Sequence, residues 1–150
     1  MATNKKPKKK YRGPKYPHGQ VPIVFRHSKE ADTALQLVPH TEIDKLRDGT
    51  ADEYMVNTLA FRLNWGYVMA GEYFDTPEAR QAMIEVLDAI RSVKERFSRL
   101  GKYGCTPLEF QALGAGLNWT DEMQKSATRR EQRDALRIVD LVNEDKRKNP

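Results

Sequence analysis

Cysteine is almost missing from this chain: Cys105 is the only one in 150 residues. A single thiol excludes an internal disulfide and leaves no basis for a thiolate metal site, which needs several convergent ligands. Long apolar runs are missing as well. No stretch approaches the ~18 residues that cross a bilayer, and the N-terminus lacks the apolar segment of a signal peptide. The expected compartment is the cytoplasm, with no membrane partner. Histidine is scarce, and His18, His27 and His40 have no carboxylate or cysteine at ligand spacing. They read as ordinary exposed histidines, with no metal and no cofactor expected.

Acid is absent from the first 29 residues, which hold nine Lys/Arg. The rest of the chain has 17 basic against 21 acidic residues, a net of −4 under an overall charge of +5. The alkaline balance therefore belongs to the N-terminus and the body is mildly acidic, whereas a body that bound nucleic acid through its main surface would more usually be basic.

Between Ala2 and Val21 no aliphatic residue occurs, and Pro7, Pro14 and Pro17 interrupt a lysine cluster. Such a segment buries too little apolar surface to offset its ordering entropy, so residues 1–19 are expected to form a disordered basic arm. Val21, Ile23 and Phe25 then alternate around Pro22 and Val24. With no second strand to pair, an extended strap is favoured over a strand. Residues 20–150 are expected to form one helical domain.

Beyond Ser28 the signals are helical. Two short elements are expected at about 29–38, stopped by Pro39, and 41–48, stopped by Gly49. Thr50-Ala51-Asp52-Glu53 reads as a capping box opening a helix to about residue 73. That helix has apolar residues on two sides (Met55, Val56, Leu59, Leu63, Tyr67; then Phe61, Trp65, Val68, Met69), as expected of a central helix. Thr76-Pro77-Glu78 and Thr106-Pro107-Leu108-Glu109 open two more. Ala79, Met83, Val86, Ile90, Val93, Phe97 and Leu100 form an unbroken heptad seam. A helix from Pro107 to about Asn118 follows, with residues 120–127 either breaking or continuing it. A last helix spans about Thr128 to Lys146, with Leu136, Val139 and Val142 facing the core and Ile138 and Leu141 widening that stripe. The fold class is all-α: an antiparallel bundle of about four main helices, with short elements before it.

No catalytic constellation is legible, and an enzyme is not expected. Cys105 precedes a helix cap, where the dipole could lower its pKa, but neither a base nor an orienting group can be assigned to it. Gly101-Lys102-Tyr103-Gly104 reads as a helix C-cap and turn, and Gly114-Ala115-Gly116 as a close helix–helix approach. Thr106 to Leu113 followed by Leu117 to Thr120 superficially resembles the opening of a helix-turn-helix, with Arg129, Arg130 and Arg133 on a recognition helix. Residues 121–127 lack the pattern of its tight turn.

The remaining candidate is the arm. Lys5, Lys6, Lys8, Lys9, Lys10, Arg12 and Lys15 can attract phosphate through counterion release, and Tyr11 and Tyr16 can stack on bases. A passive solubilising tail has the same composition, and Pro7-Lys8-Lys9-Lys10 also matches a nuclear-import pattern.

At Lys9-Lys10-Tyr11-Arg12-Gly13-Pro14-Lys15 the chain resembles a group of small uncharacterised helical proteins of bacteriophages and prophages. Their basic start has the form Lys-Lys-Tyr-Arg-Pro-Lys, here interrupted by Gly13. The likeness extends over Arg96-Phe97, the turn Gly101 to Gly104 and Leu108-Glu109-Phe110-Gln111-Ala112-Leu113. It implies a phage-type accessory protein working in the cytoplasm of a bacterial host, and brings no catalytic residue with it.

Three functions fit these readings. One is a binding protein whose arm contacts nucleic acid or a ribonucleoprotein while its body engages a host or phage protein. A second is an inhibitor of a host defence or transcription complex, in the manner of anti-CRISPR proteins, its acidic body occupying a nucleic-acid site. A third is a structural homo-oligomer using the 79–100 seam between chains, although such a seam is more often internal core.

Overall fold

The computed structural model of the chain describes residues 29–149, with side chains from Leu37 onward. The expected arm, 1–19, and strap, 20–25, lie outside the described residues. Those described form five helices and no strand: α1 (Lys29–Asp48), α2 (Glu53–Glu72), α3 (Pro77–Leu100), α4 (Pro107–Ser126) and α5 (Arg129–Lys148). The helical bundle is as expected, but its early part differs. In place of two short elements there is one 20-residue helix, with Pro39 inside it. A proline inside a helix costs about 3 kcal/mol. Tertiary contacts offset that cost, because the C-terminal half of α1 docks on α4 and α2 and buries Ile43 and Leu46.

Helix starts follow their caps. Thr76 accepts from the Ala79 N–H and precedes Pro77 at the first helical position. Thr106 and Glu109 form a full capping box, as do Thr128 and Glu131. At α2 the expected box on Thr50 is replaced: Asp52 is the N-cap, its Oδ1 accepting from the Met55 N–H at 2.8 Å. Thr50 instead closes the turn after α1, its N–H donating to the Lys45 carbonyl. A carboxylate is at least as good a cap as a hydroxyl, and it faces the positive end of the helix dipole. Gly101 ends α3 in the left-handed conformation at φ 73°, where residues with a Cβ are strained. The region 120–127 is settled: α4 continues unbroken to Ser126.

As expected, α2 is the central helix, in contact with all four others. It buries Val56, Leu59, Leu63, Trp65 and Met69. Phe61 and Tyr67, expected inward, are exposed. The seam on α3 is internal: Ala79, Met83, Val86, Ile90 and Val93 are buried within the chain, while Leu100, at its end, is 62% exposed. Phe97 stacks on Tyr103, with ring centroids 4.1 Å apart, closing the end of the bundle. On α5 the buried residues are Ala135 and Val139; Leu136 and Val142, expected in the core, stand largely outside it. The reason is that α5 packs chiefly on α2, so only a narrow stripe is covered.

Two glycines set the spacing of the three inner helices. A Cβ on Gly116 of α4 would lie 2.5 Å from the Val86 Cβ of α3, and one on Gly66 of α2 would fall on the Thr120 hydroxyl of α4. Gly114, read as part of the same approach, has nothing near it. Thr120 is fully buried, and its hydroxyl donates to the Gly116 carbonyl at 2.8 Å, so the tight crossing leaves no polar group unpaired. Gly116→Ala is expected to destabilise the protein by about 2 kcal/mol through overpacking, lowering the Tm by roughly 5 °C. In a thermal-melt cycle the double variant with Val86→Ala should lose less than the two single variants combined.

Candidate functional site

Helix α1 is joined to the bundle by a hydrogen bond as well as by apolar contact. Its His40 Nε2 lies 2.9 Å from Asp121 Oδ2 on α4, and the other oxygen of Asp121 accepts from Arg62 on α2 at 3.1 Å. Arg62 also donates to the Gln124 side chain and lies over the Trp65 ring, 4.8 Å from its centre. Trp65 Nε1 donates to the Gln132 carbonyl of α5 at 3.1 Å, and the Gln132 amide donates to the Gln124 and Ala127 carbonyls. One polar node therefore ties four helices together. Burial pulls the Arg62 guanidinium below its ordinary pKa, while Asp121 works in the opposite direction. Its Nε is buried without a hydrogen-bond partner among the described residues.

A second node fixes the α3–α4 connection. Arg96 grips Glu109 with two hydrogen bonds of 2.9 and 2.7 Å and donates to the Gly104 carbonyl at 2.8 Å. Glu109 also accepts from the Thr106 N–H, so one carboxylate serves both the fork and the cap. Arg96 is the first cause holding the Glu109 carboxyl below its ordinary pKa. Cys105 lies within this turn, half-buried. Its thiol is pushed up, first by burial and then by Glu109, against the lowering pull of Arg96 and Arg47. The shift runs opposite to the lowering suggested by its place before a cap, with desolvation the leading cause.

The helix-turn-helix likeness also fails. Of residues 121–127, where its tight turn would lie, all but the last are helical, and only Ala127 and Thr128 connect α4 to α5. Arg130 and Arg133 both approach the single carboxylate of Asp134 on their own helix, at 3.9 and 3.7 Å.

The sequence-derived site residues Lys5, Lys6, Lys8, Lys9, Lys10, Tyr11, Arg12, Lys15 and Tyr16 lie outside the described residues, as do His18 and His27. Among the described residues no group of three His, Cys, Asp or Glu is placed to hold a metal, and no helix is long and apolar enough to cross a membrane. Set against known protein families, curated proteins and solved structures, the chain matches none.

Sequence reasoning missed Glu42. It is 6% exposed on the docked half of α1, with Oε2 unpaired among the described residues. Burial first and Asp52 second push its carboxyl up to about 7, against the pull of Lys45. The folded pKa exceeds the unfolded one, so the native state favours the neutral acid. Its contribution is fully present below about pH 4.5 and is lost as pH rises towards 7. Urea titrations should find Glu42→Gln equal to the parent near pH 4. At pH 8 the variant should be more stable, by up to about 3 kcal/mol if the whole shift is felt.

Proposed function

We propose that this chain is a non-enzymatic accessory binding protein of the phage type. Its basic arm contacts nucleic acid or a ribonucleoprotein, and its net acidic helical body engages a protein partner. The observation carrying this reading is the charge split: nine cations and no acid in residues 1–29, against a net of −4 beyond them. A solubilising tail has no need of segregated charge, whereas a contact arm on an acidic body gains from it. The body repels phosphate and leaves the arm as the place where a polyanion can settle. Tyr11 and Tyr16 among the lysines add stacking, which favours unpaired bases.

The polar groups of the body have another use. Arg62, Asp121, Arg96 and Glu109 are committed to joining helices. Binding by the body would therefore run through its exposed faces rather than through a buried polar site.

Titrating fluorescent single-stranded DNA or RNA at several salt concentrations tests the arm. Its seven cations in residues 1–19 set a limit of about −5 on the slope of log affinity against log salt for a single strand. A slope of at least half that is expected. Deleting residues 1–19 should abolish the binding while the circular dichroism of the bundle stays the same. Retention that survives the deletion would refute the arm's role.

A further inference from the structure

Glu42 is an ionisable side chain in an apolar seat. It shares the buried stripe of α1 with Pro39, Ile43 and Leu46, and its Oε2 is unpaired among the described residues. Spacings of three and four put these side chains on one face of the helix, the face that packs on α2 and α4. Arg47 lies over the Phe110 ring, 5.0 Å from its centre, and His40 reaches Asp121, so α1 runs antiparallel to α4. Glu42 falls between these two contacts. From Phe110 to Thr120 α4 has no ionisable side chain, so that helix brings no cation to the carboxyl.

The other neighbours do little better. At the start of α2 stand two acids, Asp52 and Glu53, with Tyr54 exposed; further along, Arg62 is bonded to Asp121. In the turn before α4, burial pushes the Tyr103 hydroxyl and the Cys105 thiol up, so both stay uncharged at neutral pH. On α1 itself, Asp44 and Asp48 lie within ion-pair distance of Arg47, and His40 is bonded to Asp121. Lys45 pulls Glu42 towards the ionised form, but burial and Asp52 outweigh it. Loss of its proton leaves a buried anion near a second carboxylate, and a buried charge without a close partner is strongly disfavoured.

The fold gives α1 a way to relieve that strain. It joins the other helices only through residues 49–52, which are non-helical and include Gly49 at φ 75°. The packing of α2 on α3, α4 and α5, and of α3 on α4, does not pass through α1. We propose that α1 is a proton-controlled flap, seated on α2 and α4 while Glu42 keeps its proton and swinging out about residues 49–52 when Glu42 ionises. The direction follows from the seated carboxyl, which titrates at about 7 instead of its ordinary 4.5. The seated state is therefore fully favoured in acid and loses ground as pH rises from about 4.5 to 7. The flap does not rest on the arm's function. Because the arm precedes α1 in the chain, release also moves the arm's point of attachment.

Hydrogen exchange of the full chain from pH 4 to 8, expressed as protection relative to intrinsic exchange, tests this. Protection of residues 40–48 should fall by about tenfold per pH unit between about 5 and 7 and level off above that. At pH 7.5 it should lie about tenfold or more below that of residues 83–93 in α3, since the flap opens without global unfolding. Glu42→Gln should raise the protection of α1 at pH 7.5 by about tenfold or more and leave it unchanged near pH 4. Glu42→Leu, which asks for no hydrogen bond, should flatten the pH dependence as well, so a poorly seated amide cannot hide the effect. Asp52→Asn keeps a capping side chain and should raise protection at pH 7.5 by less than Glu42→Gln does. Equal protection of α1 and α3 at pH 7.5 would make Glu42 a matter of global stability and overturn the flap. A pH dependence that survives both Glu42 variants would pass the role to His40 and its bond to Asp121, and would overturn it too.

Discussion

The bundle depends on how closely α4 lies against α2 and α3. Gly116 admits the Val86 side chain and Gly66 admits the Thr120 side chain, so three helices meet with almost no side chain between them. At that distance Met83, Leu63 and Leu117 fill the space around the crossing, and all three are fully buried. A side chain at either glycine would push α4 outward and loosen the contacts along its length, because interiors packed at crystal density have no slack to absorb an added methyl. The outer helices take their positions from this inner triplet.

Around the triplet, attachment changes in character. Among the residues whose side chains are described, α1 buries Pro39, Ile43 and Leu46, and α5 buries Ala135 and Val139. What they lack in apolar burial is partly made up by hydrogen bonds to the node of Arg62, Asp121, Gln124 and Gln132. Such ties orient more than they stabilise, since a desolvated ion pair regains little beyond its own burial cost. α1 also carries an internal proline and a buried carboxyl with an unpaired oxygen. It is the helix that leads back to the arm, and it carries both of these local conflicts. Segments of that kind open first.

For the proposed function this arrangement separates two tasks. The arm supplies cations at the end of the chain, while the bundle is a scaffold whose polar groups are largely used internally. Of its exposed apolar residues, Tyr67 and Val142 line the α3–α5 groove, where two helices stand over a floor that no helix of the described chain covers. A protein surface keeps such a patch at some risk of aggregation unless something covers it.

The sequence by itself determined the element types and the strongest boundaries. The Thr76-Pro77 and Thr106-Pro107 starts, the Gly101 stop and the α3 seam are local signals whose physics lies within a few residues: a hydroxyl for an orphan N–H, a ring that presets φ, a missing Cβ, a heptad period. The two-sided apolar pattern of α2 likewise announced its central place. Only the tertiary structure decided the rest. Pro39 sits inside a helix because contacts from α4 outweigh a local penalty, and Asp52 rather than Thr50 caps α2 because the turn after α1 claims the threonine backbone. Phe61, Tyr67 and Val142 are apolar by composition yet exposed, since burial depends on which neighbour arrives and not on the residue alone. The Arg62 node likewise has meaning only against residues dozens of positions away, and no local pattern carries that information.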